Sequence, residues 1–163
     1  MNKKTDSSVL REDTKVVVSG RDTKNYGGVI NPPVYHGSTI LAESVESYNS
    51  RYLEAKEGEQ VMVYGTMGNP TAWALENAIA ELEGGYHCST YPSGLAAISV
   101  ALMAFLKSGD HLLMTDSIYA PTRRFCDTVL RRFGVETTYY DPLIGAEIET
   151  LMRPNTAVIF TES

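Results

Sequence analysis

Apolar positions along the chain fall into two regimes that change near Tyr64. Before it they are scattered among charged residues, Ser, Asn and Pro; after it they gather into short runs, each bounded by Gly, Pro or Asp. Only the second regime has the periodicity of packed elements. Asn69 occupies a helix-cap position and Pro70 the first helical position, where a missing N–H costs nothing. Leu75, Ala78, Ile79 and Leu82 then share one helical face, and Gly84-Gly85 ends it. Residues 87–91 have the length and the β-branched or aromatic content of a strand. Pro92-Ser93-Gly94 opens the next helix, with Leu95, Ile98, Leu102, Phe105 and Leu106 as its buried stripe and Ser108-Gly109-Asp110 as its stop. A strand over 111–115 follows. A helix over 121–133 buries Phe125 and Val129 and ends at Gly134, and 135–140 is a further strand. After the turn at Asp141-Pro142, a helix over 145–152 leads to Ala157-Val158-Ile159-Phe160-Thr161. That apolar run is typical of a strand covered on both faces.

Strands alternating with helices predict an α/β architecture, a mostly parallel sheet in a three-layer arrangement with right-handed crossovers. In such sheets small molecules sit outside the carboxyl ends of the strands. Residues 61–163 are therefore expected to form the domain proper, and residues 1–60 an arm. Asn31-Pro32-Pro33 forces an extended run within it, because a residue before proline avoids the α region. A short helix over 43–55 is expected from Val45, Tyr48 and Tyr52. Plain terminal disorder is the alternative for this arm.

Charge and composition narrow the function classes. At 163 residues, 43% hydrophobic, the chain can bury one ordinary core. A formal charge of −6 opposes surfaces that neutralise nucleic-acid phosphates or anionic lipid. Two cysteines, Cys88 and Cys126, are too few for a disulfide framework and lack zinc-site spacing. The polar start and the absence of eighteen consecutive apolar residues predict a cytoplasmic protein with no membrane partner. His36, His87 and His111 share no ligand spacing, so no metal is expected; chance placement at turns and strand edges is the default for each. Arg123, Arg124, Arg131 and Arg132 read as a solvated or subunit-facing stripe.

Two strand-to-helix loops carry candidate chemistry. Tyr91-Pro92-Ser93-Gly94-Leu95-Ala96-Ala97 puts Gly94 and unpaired N–H groups at a helix start, which is an anion cradle. A glycine kept merely for the turn is the plainer explanation. Asp116-Ser117-Ile118-Tyr119-Ala120-Pro121 hangs Tyr119 over the same predicted crevice, where its ring could stack on a planar heteroaromatic ligand and its phenol could move a proton. A tyrosine at a loop edge with its hydroxyl in water is the plainer alternative there.

The run Tyr64-Gly65-Thr66-Met67-Gly68-Asn69-Pro70-Thr71, with Leu82-Glu83-Gly84-Gly85, Ser93-Gly94-Leu95-Ala96-Ala97, Gly109-Asp110-His111 and Tyr119, resembles the Cys/Met-metabolism pyridoxal-phosphate enzymes. Asp141-Pro142-Leu143-Ile144-Gly145-Ala146 is similar to their cystathionine β-lyase branch. The resemblance implies the aspartate-aminotransferase fold (fold type I), pyridoxal 5′-phosphate as cofactor, and a sulfur amino acid as substrate. It also implies a homotetramer whose sites are shared between subunits, with the arm reaching a neighbour. Gly94 and Leu95 would give N–H groups to the cofactor phosphate, Tyr119 would stack on its ring, and Tyr64 would reach the phosphate of the adjacent subunit. Thr66 departs from the family's usual arginine; its hydroxyl donates one hydrogen bond but brings no charge and no bidentate fork.

The same resemblance puts the family's Schiff-base lysine and the acidic partner of the pyridine nitrogen beyond residues 160–163. The last lysine here is Lys107. The segment alone is therefore expected to be an inactive N-terminal portion of a carbon–sulfur lyase. A noncatalytic module that binds a phosphorylated ligand, or another transsulfuration enzyme, is the alternative.

Overall fold

A computed structural model describes residues 10–162. Residues 1–9, the start of the expected arm, and Ser163 lie outside the described residues. The chain divides between Thr90 and Tyr91 into two compact units.

The first unit contains α1 (Glu12–Val18), α2 (Val45–Lys56) and α3 (Pro70–Glu83). Helix α1 was not expected. Helix α2 begins where Ser44 Oγ accepts the Ser47 N–H at 3.1 Å, and Tyr48 and Tyr52 stack one turn apart on its surface with centroids 6.2 Å apart. At the start of α3, Asn69 Oδ1 accepts the N–H groups of Thr71 at 3.0 Å and Ala72 at 3.2 Å, as the cap signature requires. Gly84 ends the helix in the left-handed region at φ 65°.

The packed side of α3 is not the leucine stripe. A Cβ at Gly20 would lie 2.8 Å from the Ala74 carbonyl and 3.2 Å from Ala78 Cβ, so glycine there lets two backbones close over the alanines. Leu75, Ile79 and Leu82 remain exposed. The proline-bearing segment is tied to the same helix: Thr71 Oγ1 donates to the Pro33 carbonyl at 2.7 Å and accepts the Tyr35 N–H at 2.8 Å.

Residues 87–91 do not form the expected strand. Their local composition suits a strand, but a strand exists only when paired, and the segment is held instead by Glu76 Oε1, which accepts from Thr90 N (3.2 Å) and Oγ1 (2.9 Å).

The second unit contains α4 (Gly94–Phe105), β1 (His111–Thr115), α5 (Ala120–Phe125), β2 (Glu136–Tyr140) and β3 (Thr156–Phe160). The strands form one parallel sheet in the order β2-β1-β3, the expected α/β pattern. Strand β1 is buried along its whole length. Leu112 and Met114 pack with Leu102, Ile118, Cys126, Leu130 and Val135, and Ile98 of α4 and Leu106 just after it close over them. Phe105, expected in the buried stripe, is exposed.

Three details depart from the sequence pattern. The helix begun by α5 passes into a π turn, Cys126–Leu130. Residues Gly145–Leu151 form a 3-10 helix instead of an α-helix; Gly145 enters it from the left-handed region at φ 56°, and Thr150 Oγ1 donates to the Glu147 carbonyl three residues back. In β3, Thr156, Val158 and Phe160 are half-buried whereas Ala157 and Ile159 are exposed, so one face is covered, not both.

Nor does His111 sit at a strand edge by chance. It is fully buried at the head of the central strand, with Nδ1 2.8 Å from Thr156 Oγ1 and Nε2 2.9 Å from Thr138 Oγ1, one contact to each flanking strand.

Candidate functional site

The start of α4 is built as a donor surface. Ser93, extended at φ −159°, turns its Oγ back to accept the Ala96 N–H at 3.1 Å, while its carbonyl takes the Ala97 N–H at 3.0 Å. The N–H groups of Gly94 and Leu95 have no acceptor among the described residues. They point out of the positive end of a 12-residue helix. A Cβ built at Gly94 would meet nothing within 4 Å. Glycine therefore leaves open the space from which an anion's oxygens could approach those two amides, and the cradle fits a phosphoryl group.

Tyr119 belongs to the same compact unit, in the loop after β1. Helix α4 packs on the core, and its last residue connects through a short loop to the first residue of β1, so helix and strand run in opposite directions. Twelve helical residues rise about 18 Å and five strand residues about 16 Å, so the two elements are of comparable length. The loop after β1 is pinned at three points: Asp116 N donates to the Tyr140 carbonyl at 2.8 Å, Ile118 N donates to the Thr115 carbonyl at 3.3 Å, and Ile118 is buried. Tyr119 follows as the residue capping α5, its carbonyl accepting Thr122 N at 2.9 Å and Arg123 N at 3.2 Å. Its backbone is thus fixed while its side chain is 53% exposed, available to a planar ligand.

Tyr64 and Thr66 belong to the first unit. Tyr64 forms an isolated antiparallel bridge with Thr39, and the Gly65 N–H donates to the Ser38 carbonyl at 2.7 Å. A side chain at Gly65 would run into the backbone of Gly37 and Ser38, so the close pairing demands glycine. Gly68, at φ 112°, lies against the Trp73 ring. Both Tyr64 and Thr66 are exposed, and neither side chain has a hydrogen-bond partner among the described residues.

Sequence reasoning missed the role of Arg123, which does not join a solvated stripe. Its Nη2 donates to Asp116 Oδ1 at 2.6 Å and to the Asp116 carbonyl at 2.7 Å, and its guanidinium lies 3.8 Å from the centre of the Tyr139 ring. The Tyr139 hydroxyl in turn donates to Asp127 Oδ1 at 2.8 Å. Burial first, then the bond to Asp127, pushes the Tyr139 phenol far above its usual range, so it stays protonated. Burial also raises the Cys126 thiol to about 11, helped by the Asp127 charge, which leaves it unreactive.

At the opposite end of the sheet, desolvation lowers the His111 pKa, with the Arg153 cation adding to it and Glu136 opposing. Thr156 Oγ1 already accepts the Arg153 N–H at 2.7 Å, so its own proton is free for His111 Nδ1; the neutral ring then donates from Nε2 to Thr138. This cluster is structural. No group of three potential metal ligands and no helix long and apolar enough to cross a membrane occurs among the described residues.

Comparison with known proteins gives a consistent result. Residues 13–163 match the family described as Cys/Met metabolism PLP-dependent enzymes. A relative from Saccharomyces cerevisiae is 48% identical over 160 residues, covering 98% of this chain and 45% of its own. The cystathionine beta-lyase of Haemophilus influenzae is 40% identical over 150 residues, 92% of this chain and 37% of that protein. Among solved structures, metB from Corynebacterium glutamicum superposes with a TM-score of 0.84 at 30% identity, covering 97% of this chain and 38% of that one. The chain thus spans less than half the length of these relatives.

Proposed function

The chain belongs to the Cys/Met metabolism PLP-dependent enzyme family, and we propose that it forms the phosphate- and ring-binding part of a carbon–sulfur lyase that cleaves cystathionine. The reaction would be β-elimination, with water consumed and homocysteine, pyruvate and ammonia released. The observation that carries this reading is the pair of unpartnered N–H groups at Gly94 and Leu95 in the same compact unit as an exposed Tyr119 on a fixed backbone. The 40% identity to a cystathionine beta-lyase supports the choice of substrate class.

When bound, pyridoxal phosphate would supply an electron sink for the substrate's α-carbon while sulfur leaves. The chain's own part is positional. Gly94 and Leu95 donate their N–H groups to phosphate oxygens, drawing on the helix dipole. Tyr119 would offer its exposed ring to the cofactor's and could hold or pass a proton at its phenol oxygen. Tyr64 and Thr66 would donate hydroxyls to the phosphate of a neighbouring subunit, Thr66 contributing a neutral bond where a relative with arginine has charge. We propose residues 1–60 as the arm that reaches this neighbour within a homotetramer, supported by Val29, Ile30, Val34 and Leu41, all exposed in the single chain. The free state of Cys88 and Cys126 suits a reducing cytoplasm.

The test is product analysis. The complete enzyme, given pyridoxal phosphate and cystathionine, should release pyruvate and homocysteine. Release of 2-oxobutyrate and cysteine instead would show γ-elimination and overturn the substrate-cleavage assignment.

A further inference from the structure

Four side chains connect the Tyr119 loop to the helix and strand behind it. Asp116 opens the loop, and both its carboxylate and its carbonyl are held by the single Nη2 of Arg123. Arg123 lies one turn into α5, and its backbone N–H returns to the Tyr119 carbonyl at 3.2 Å. One residue therefore grips the loop at both ends, Asp116 through its side chain and Tyr119 through its backbone. The guanidinium carbon lies over the Tyr139 ring, 3.8 Å from its centre, and Tyr139 is anchored by Asp127 on the π turn. The side chain of Arg123 is only one-third exposed, which favours a fixed geometry over a mobile surface pair.

We propose that Arg123 is a positioning residue for the cofactor ring: it acts through the loop it clamps, setting the angle at which Tyr119 presents its face. The proposal rests on the assignment of Tyr119 to the ring. Lysine cannot substitute, because an ammonium is a point charge without the planar, fixed donor geometry that Arg123 uses on Asp116.

A thermodynamic cycle in the complete protein, titrated with pyridoxal phosphate and read by dichroism in the cofactor's absorption band, tests this. Arg123→Met should raise the dissociation constant about fivefold and change the dichroic band when Tyr119 is present, since a clamp of charge-assisted bonds is lost. In a Tyr119→Ala background the same substitution should change affinity less than about twofold. Arg123→Lys should recover less than half of the loss. Equal factors in both backgrounds, or full recovery by lysine, would overturn the proposal.

Hydrogen exchange without cofactor gives an independent decision. Arg123→Met should speed exchange at the Ile118 and Thr122 amides about tenfold while Leu112–Met114 stay protected. An unchanged loop, or protection lost equally along β1, would also overturn it. Complete failure to bind pyridoxal phosphate would defeat the proposed function, with the exchange measurement still deciding the clamp.

Discussion

Replacing Gly94 by alanine is expected to move stability and cofactor affinity in opposite directions. Gly94 is the first residue of α4, it is not in the left-handed region, and a Cβ there meets nothing within 4 Å. Alanine therefore fits without strain, and its smaller unfolded-state freedom should add about 0.4–1 kcal/mol of stability. For a chain of this size that corresponds to a rise of roughly 1–4 °C in melting temperature. The same methyl projects into the space through which a phosphoryl oxygen would reach the Gly94 and Leu95 amides. A lost hydrogen bond to a charged group costs about 1.5–3 kcal/mol. That translates to a dissociation constant raised about 10- to 150-fold. Thermal unfolding followed by circular dichroism, without cofactor, measures the first quantity; titration with pyridoxal phosphate in the complete protein measures the second. Unchanged affinity would refute the placement of phosphate at this helix start, and a lower melting temperature would show that glycine serves the turn itself.

Tyr119→Ala should weaken pyridoxal phosphate binding about tenfold through lost stacking, whereas Tyr119→Phe should bind nearly normally yet lose about 10²-fold in turnover if the phenol moves a proton; equal turnover by the Phe variant would leave the ring a purely stacking role. His111 carries its folded pKa below the ordinary 6.5, so its contribution is complete above that value. As pH falls from 6.5 through the depressed folded value, the unfolded state binds the extra proton first and stability is lost. Urea midpoints at pH 7.5 and 5 should differ more for the native chain than for His111→Asn, and identical differences would remove His111 as the cause. Cys126, buried and with its thiol raised to about 11, should resist iodoacetamide at pH 8 while half-buried Cys88 is labelled; mass spectrometry of the peptides gives the order, and equal labelling in the folded chain would contradict the burial of Cys126.

Elements closed by explicit local chemistry were legible in the sequence. Asn69-Pro70 and Gly84 marked α3, Ser93-Gly94 marked the start of α4, and Gly134 and Asp110 bracketed β1 and β2. What failed depended on partners distant in the chain. Residues 87–91 look like a strand but have nothing to pair with among the described residues, and pairing, not composition, makes a strand. The leucine stripe of α3 was visible as a face, yet which face packs was decided by Gly20, more than fifty positions earlier. The apolar run of β3 implied two covered faces, but its alternating exposure shows that among the described residues only the face bearing Thr156, Val158 and Phe160 is packed. The alternation rule reached the loop after β1, but the loop before α4 follows no strand among the described residues, so there the rule had no strand to act on. Arg123 was passed over because its partner is seven residues away across a loop, outside the three- and four-residue spacings by which helical pairs are recognised.

The burial of β1 on every side has an evolutionary consequence. Its five residues act as a gauge block between the strand's entry from α4 and its exit toward Tyr119, so they fix the depth at which the aromatic side chain sits relative to the helix start. Inserting or deleting one residue would slide that depth by about 3.3 Å and invert which side chains face the interior. New specificities in such a protein must therefore come by exchanging loop side chains at constant length, with the gauge left untouched.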